Sequence, residues 1–282
     1  MKFGAFSFNT DYGMRADVLA QALETRGYES LWVGEHTHIP AERHSPYPGG
    51  GELPRPYYHI VDPFVSLMAA AGATQHLKIA TGICLVVERD PITLAKEVAS
   101  LDLLSGGRFL LGIGGGWNAE EMENHGTPFA RRWKILRENV EAMKAIWAQE
   151  EASYEGEFVR FDRIISYPKP AQTPHPPIIY GGGTEQGVRR VVRYCDGWLP
   201  FDVMGNEFDR LVGVMHDEAH AAGRDPSGIE IRMFCFRTPD AATIEHYMSL
   251  GVERVVLVLP RQEDATMGYL DDCVGLLEQF AA

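Results

Sequence analysis

Cysteine is scarce in this chain: four thiols in 282 residues, Cys84, Cys195, Cys235 and Cys273, stand far apart with no C-x-x-C pair. That spacing speaks against a disulfide framework or a thiolate metal site and predicts reduced, buried thiols in a cytosolic protein. Positive charge is also thin. Lys and Arg number 26 against 39 Asp and Glu, a formal net charge of −13, and no basic cluster breaks the pattern. A surface of that sign repels phosphate backbones, so nucleic acid is not an expected partner. No apolar run reaches the ~18 residues a spanning helix needs. The nearest, Phe64 to Ala73, is too short, and the opening MKFGAFSFNTD has no long apolar stretch or small-residue cleavage site. Neither a membrane span nor a secretory signal is therefore expected, and the predicted location is cytoplasmic.

What the chain does have is alternation. Its composition, 45% apolar and 23% charged, is that of an ordinary globular protein. Strand-like segments at Lys2–Phe8, Ser30–Gly34, Leu77–Leu85, Arg108–Gly114, Pro177–Gly181, Asp196–Pro200, Ile229–Phe236 and Glu253–Leu259 are each followed by a helix-like one. The helices read as Met14–Arg26, Pro63–Thr74, Pro91–Leu104, Arg131–Ala148, Glu185–Tyr194, Glu207–Ala222, Ala241–Leu250 and Met267–Phe280. Asp62-Pro63 and Asp90-Pro91 are start signals, and Gly27 is a stop. Strict alternation demands a parallel sheet with right-handed crossovers. Eight units in one domain of this length predict an α/β fold, a single (β/α)8 TIM barrel. A long loop, His38 to His59, follows the second strand, and an irregular insertion, Glu150 to Pro176, precedes the fifth. In such a barrel the site lies at the C-terminal strand ends, so each motif can be judged by whether it follows a strand.

Gly112-Ile113-Gly114-Gly115-Gly116-Trp117 follows the fourth strand but fails as a dinucleotide fingerprint, because the third glycine position is Trp117. It is either a tight turn or a bare backbone, notably Gly114 and Gly115, that a flat ligand can approach. Gly181-Gly182-Gly183-Thr184 follows the fifth strand and opens a helix. Consecutive glycine amides there predict an anion nest, with Thr184 capping or donating a hydroxyl. Glu35-His36 follows the second strand. An imidazole titrates near neutrality, so His36 beside a carboxylate suits acid–base work. His38 completes an H-x-H pair, but the later strand ends offer little else to a metal, and none is expected. Thr81-Gly82-Ile83-Cys84-Leu85 reads as an inner strand, and Glu120, Glu121 and Glu123 with His125 read as a solvated helix start.

SLWVGEH (30–36), DPITLAKEVASLDLLSGGRFLLGIGGGWNAEEMENHG (90–126), PIIYGGGT (177–184) and DGWLP (196–200) together resemble the bacterial luciferase-like superfamily of TIM barrels, in its branch dependent on the deazaflavin coenzyme F420. The resemblance runs over nearly the whole chain. It implies an oxidoreductase that moves a hydride between F420 and a small, partly apolar organic substrate, with an FMN-dependent monooxygenase as the alternative. A non-catalytic cofactor-binding protein is a third possibility, and a homodimer is implied as the assembly. It further implies a non-prolyl cis peptide at Gly82–Ile83 or Ile83–Cys84, behind the tricyclic ring. The cofactor phosphate would lie on Gly181, Gly182, Gly183 and Thr184. His36 would be the acid–base residue, positioned by Glu35. The branch carries a glutamate proton donor where this chain has Trp117, which sets a sugar-phosphate substrate aside. Trp117 is then expected to pack on the ring or substrate, under a lid holding Tyr57 and His59; Glu120 and Glu121, about one helical turn on, are the carboxyls that could stand in for the missing glutamate, and the sequence leaves open whether either does.

Overall fold

The computed structural model describes residues 1–261 and 263–280. The chain runs β1 (Lys2–Ser7), α1 (Ala16–Thr25), β2 (Ser30–Val33), α2 (Pro63–Ala73), β3 (Lys78–Thr81), α3 (Pro91–Leu104), β4 (Phe109–Ile113) and α4 (Ala119–Asn124). It continues through α5 (Arg132–Ala148), β5 (Ala152–Glu155), β6 (Arg160–Ile164), β7 (Ile178–Gly181), α6 (Glu185–Tyr194) and β8 (Gly197–Leu199). The last elements are α7 (Asn206–Ala221), β9 (Glu230–Cys235), α8 (Ala241–Ser249), β10 (Val252–Val258) and α9 (Glu263–Phe280). Eight parallel strands close in the order β1-β10-β9-β8-β7-β4-β3-β2, which is the expected (β/α)8 barrel. No helix among the described residues is long and apolar enough to cross a membrane.

Local chemistry sets the boundaries. Asp62 and Asp90 accept the Val65 and Thr93 amides, closing the first turns of α2 and α3 behind Pro63 and Pro91. Every second strand residue points into the barrel. Near the strand starts this sequence places Ser30, Arg232 and Arg254 inside, where Arg254 bonds Glu29 through two nitrogens, both at 2.7 Å. Gly197 is bare because a Cβ there would lie 2.1 Å from the Arg232 guanidinium. Above them Phe6, Trp32, Ala80, Leu110, Ile179, Leu199, Phe234 and Val256 fill the barrel. Higher still, the interior opens.

Three expectations need correction. The strand predicted over Leu77–Leu85 ends at Thr81; the non-prolyl cis peptide implied by the resemblance is present and joins Gly82 to Ile83, Cys84 touches β4 through a single bridge to Ile113, and a 3-10 turn follows over Val86–Glu88. Apolar composition is the same in strand and turn, so the change of direction left no mark in it. The insertion before β7 is not wholly irregular, because β5 and β6 pair there as an antiparallel hairpin. The acidic run that reads as a solvated start to the next helix instead forms a separate helix, α4, with Glu121 and Met122 buried.

Candidate active site

A cavity of about 1000 Å³ opens at the C-terminal strand ends. The bare backbone of Gly34, Gly82 and Gly116 and the Ile83 side chain line its depth, and aromatic rings line its walls. Those rings form one chain of contacts: Phe236 with Phe234 at 5.3 Å, Phe234 with Phe6 at 4.9 Å, Phe6 with Phe8 and Phe8 with Tyr57 at 5.3 Å. Tyr57 stands 5.4 Å from the His36 ring, and Trp117 lies 5.6 Å from it on another side. Burial, then the Tyr47 hydroxyl, holds the Tyr57 phenol above its usual range.

His36 lines this cavity, with its side chain 8% exposed. Its Nδ1 lies 2.6 Å from Glu121 Oε2. Glu121 is itself fixed, since the Thr37 amide donates to Oε1 at 3.1 Å and Asn118 Nδ2 donates to Oε2 at 3.3 Å. Glu35, expected to position His36, does not. Neighbouring residues in extended chain point to opposite sides, so Glu35 turns toward Arg89 Nε at 2.7 Å and accepts the Leu85 amide at 2.6 Å. Arg89 also binds Asp62 and Glu97, which leaves Glu35 in a structural network.

The loop over the mouth is clipped to α4. Glu120 accepts the His44 and Ser45 amides at 2.9 and 3.2 Å, and Ser45 Oγ accepts the Ala119 amide. Hydrogen bonding from the Ser45 side chain first, and from the backbone amides after it, holds the Glu120 carboxyl down to about 2. Tyr47 and Tyr57 from this loop face the cavity, whereas His59, expected beside them, does not line it. It ends a 3-10 turn and faces outward, 3.1 Å from Asp11 and 5.1 Å from the Tyr12 ring. His38 lies on the outer side, with its ring nitrogens bonded to Thr37 Oγ1 and Asn124.

The glycines are bare for reasons the sequence does not reveal. A Cβ on Gly114 or Gly181 would lie 2.7 Å from the Ile83 side chain, so the two strand ends form the slot that seats Ile83. Gly115 yields to Trp133, whose ring would be 2.3 Å from a Cβ. Gly114, Gly115 and Gly181 therefore face their own neighbours, and the fully buried Cys84 lies outside the cavity lining, its thiol pushed up by burial. Gly182 has φ +149°, and its amide donates to Leu199 at 3.1 Å, so the expected nest loses one amide to the barrel. Gly183 lies under Met204. Thr184 caps α6 by accepting the Gly187 amide at 3.0 Å. The first-turn amides of α6 still have no intrahelical acceptor, as helix geometry requires, and Arg190 and Arg132 lie over Trp133 nearby, at 4.0 and 4.8 Å. The predicted site residues thus separate into Glu35, His36, Tyr57, Gly82, Ile83 and Trp117 on the cavity, and the strand-end glycines behind it. Glu121, read from the sequence within a solvated helix start, is buried instead; Asn118-Ala119-Glu120-Glu121 carries the N-x-x-E pattern of a helix start but nothing in it marks burial.

The sequence profile of luciferase-like monooxygenases matches residues 1–262. An uncharacterized protein of Mycobacterium tuberculosis is 40% identical over 288 residues, covering all of this chain and 98% of that protein. The F420-dependent hydroxymycolic acid dehydrogenase of the same organism is 28% identical over 232 residues, 81% of this chain and 59% of its own length. The FMNH2-dependent dimethylsulfone monooxygenase of Pseudomonas putida is 29% identical over 171 residues, 60% of this chain and 46% of that protein. In structure, the monooxygenase RslO1 from Streptomyces bottropensis superposes with TM-score 0.81 at 20% identity over the whole of both chains. An F420-dependent secondary alcohol dehydrogenase superposes with TM-score 0.77 at 17% identity over 96% of this chain and 97% of its own. At those identities the structural likeness speaks to the fold.

Proposed function

This chain belongs to the luciferase-like monooxygenase family, and on that premise we propose that it is an oxidoreductase in which F420 exchanges a hydride with a small, partly apolar organic substrate. The observation that carries the reading is His36, a buried imidazole fixed by a carboxylate at the wall of an aromatic cavity. Hydride transfer at a carbon bearing oxygen needs a proton given or taken at that oxygen, and His36 is placed to do it. The residues present fit a flat tricyclic ring, with bare backbone at Gly34, Gly82 and Gly116 and aromatic walls, and an anionic tail would fall to the uncapped first-turn amides of α6, which lie outside the cavity lining. A bound deazaflavin supplies the hydride donor or acceptor. The chain's own share is orientation, exclusion of water by the Tyr47–Tyr57 loop, and the proton at His36.

A second reading keeps the fold and takes FMN in a monooxygenase, favoured by the sequence likeness to the FMNH2-dependent relative. An absorbance titration with both cofactors side by side separates the two, because FMN absorbs near ~450 nm and oxidised F420 near ~420 nm. Tight binding of F420 is expected; binding of FMN alone overturns the assignment. His36→Ala is expected to keep cofactor affinity and to lose roughly 10²–10⁴ in turnover on a panel of alcohols, aldehydes and enones. Unchanged turnover removes His36 from the mechanism.

A further inference from the structure

Glu121 is surrounded by donors. The Thr37 backbone amide points at Oε1 and the Asn118 side-chain amide at Oε2, and His36 Nδ1 is the third neighbour, at 2.6 Å. A carboxylate only accepts hydrogen bonds. The short contact to His36 therefore closes when Nδ1 carries the hydrogen. We propose that Glu121 is the positioning residue that selects the reacting nitrogen of His36, holding the hydrogen on Nδ1 and leaving Nε2 to exchange a proton with the substrate. The inference rests on the reading of His36 as the proton-transfer group. It adds which atom transfers and what chooses it.

The surroundings leave this task to Glu121. Glu35 is bound by Arg89. Glu88 is buried, neither of its oxygens has a hydrogen-bond partner among the described residues, and burial, reinforced by Glu121 and Glu35, pushes its carboxyl up to about 9. It keeps its proton at neutral pH and adds no charge. His125, 3.8 Å from Glu88 on the outer side, is lowered by burial and by His38. A proton arriving at Nε2 makes an imidazolium whose charge already faces the Glu121 carboxylate.

The same geometry makes Glu121→Gln a specific test. Thr37 N–H is a fixed donor, whereas the Asn118 amide can turn over and present its Oδ1, which has no hydrogen-bond partner among the described residues, so the glutamine turns its carbonyl oxygen toward Thr37 and its NH2 toward His36 and Asn118 Oδ1. Nδ1 must then accept, and the hydrogen moves to Nε2. The tautomer can be read in the 15N spectrum of the labelled protein without cofactor, with the His36 signals assigned by their loss in His36→Ala. Wild type is expected to show Nδ1–H, Glu121→Gln to show Nε2–H, and Glu88→Gln to match wild type. An Nε2–H tautomer in wild type overturns the proposal without any variant having to fold. So does an unchanged tautomer in Glu121→Gln. A switch in Glu88→Gln as well would assign the effect to general disturbance and overturn it too. Normal turnover of His36→Ala would sink the functional reading while leaving the tautomer result in place, so the two failures are distinguishable.

Discussion

The two ends of the barrel both bury charge, and they treat it in opposite ways. At the strand starts, Arg232 and Arg254 plug the interior with side chains 1% exposed, and each guanidinium meets a carboxylate, Arg254 at Glu29 and Glu230, Arg232 at Glu230. At the strand ends, Glu35, Glu88 and Glu121 are equally buried, but among the described residues they face one arginine, Arg89, and two histidines, His36 and, at 3.8 Å, His125. Glu88 has no hydrogen-bond partner among the described residues and stays neutral instead. Matched permanent charges make a rigid floor. An excess of carboxyls beside a histidine makes a region whose protonation can change, and the cavity opens at that end. The difference sets an ion-paired floor against a cavity end rich in buried carboxyls along one axis.

The largest effect should come from breaking the floor. Arg254→Ala leaves Glu29 and Glu230 facing a buried gap and is expected to lower the unfolding free energy by roughly 3–5 kcal/mol. Cofactor binding by the folded fraction should stay intact. Urea denaturation measures the first, and titration below the transition measures the second; loss of binding without loss of stability would break the division between the two ends. A smaller, pH-dependent effect is expected at the top. Between the ordinary carboxyl value of 4.5 and about 9, folded Glu88 holds a proton that the unfolded chain has released. Stability therefore falls as pH rises through that window, by up to about 1.4 kcal/mol per pH unit. Glu88→Gln removes the slope, so the variant should gain on wild type from pH 5 to pH 9, and parallel midpoints across that range would refute it. The smallest effect belongs to the rim. Glu120→Ala frees the His44 and Ser45 amides into solvent and should cost no more than ~1 kcal/mol. Its mark should be faster hydrogen exchange across residues 38–59, and an unchanged exchange pattern would deny Glu120 its part in holding the loop.

Much of this molecule was legible before folding. Periodicity gave the alternating elements, Asp-Pro pairs gave two helix starts, and the strand-end rule put His36, Trp117 and Gly82 at one end. The glycine runs were legible as bare backbone but not by cause, because composition is silent on which neighbour fills the space. Ile83 and Trp133 fill it from distant parts of the chain. Glu35 does not position His36 because adjacency in sequence is not adjacency in space: the partner of His36 lies 85 residues away.

Local patterning along the chain was enough to specify the barrel, since hydrophobic period and turn chemistry are local properties that survive in a linear string. The tertiary structure alone decided which carboxylate holds the histidine, which carboxyl goes without a partner, and which glycines yield to a neighbour rather than face the cavity. Those choices depend on distances between segments far apart in the chain, and a linear order of residues does not contain them.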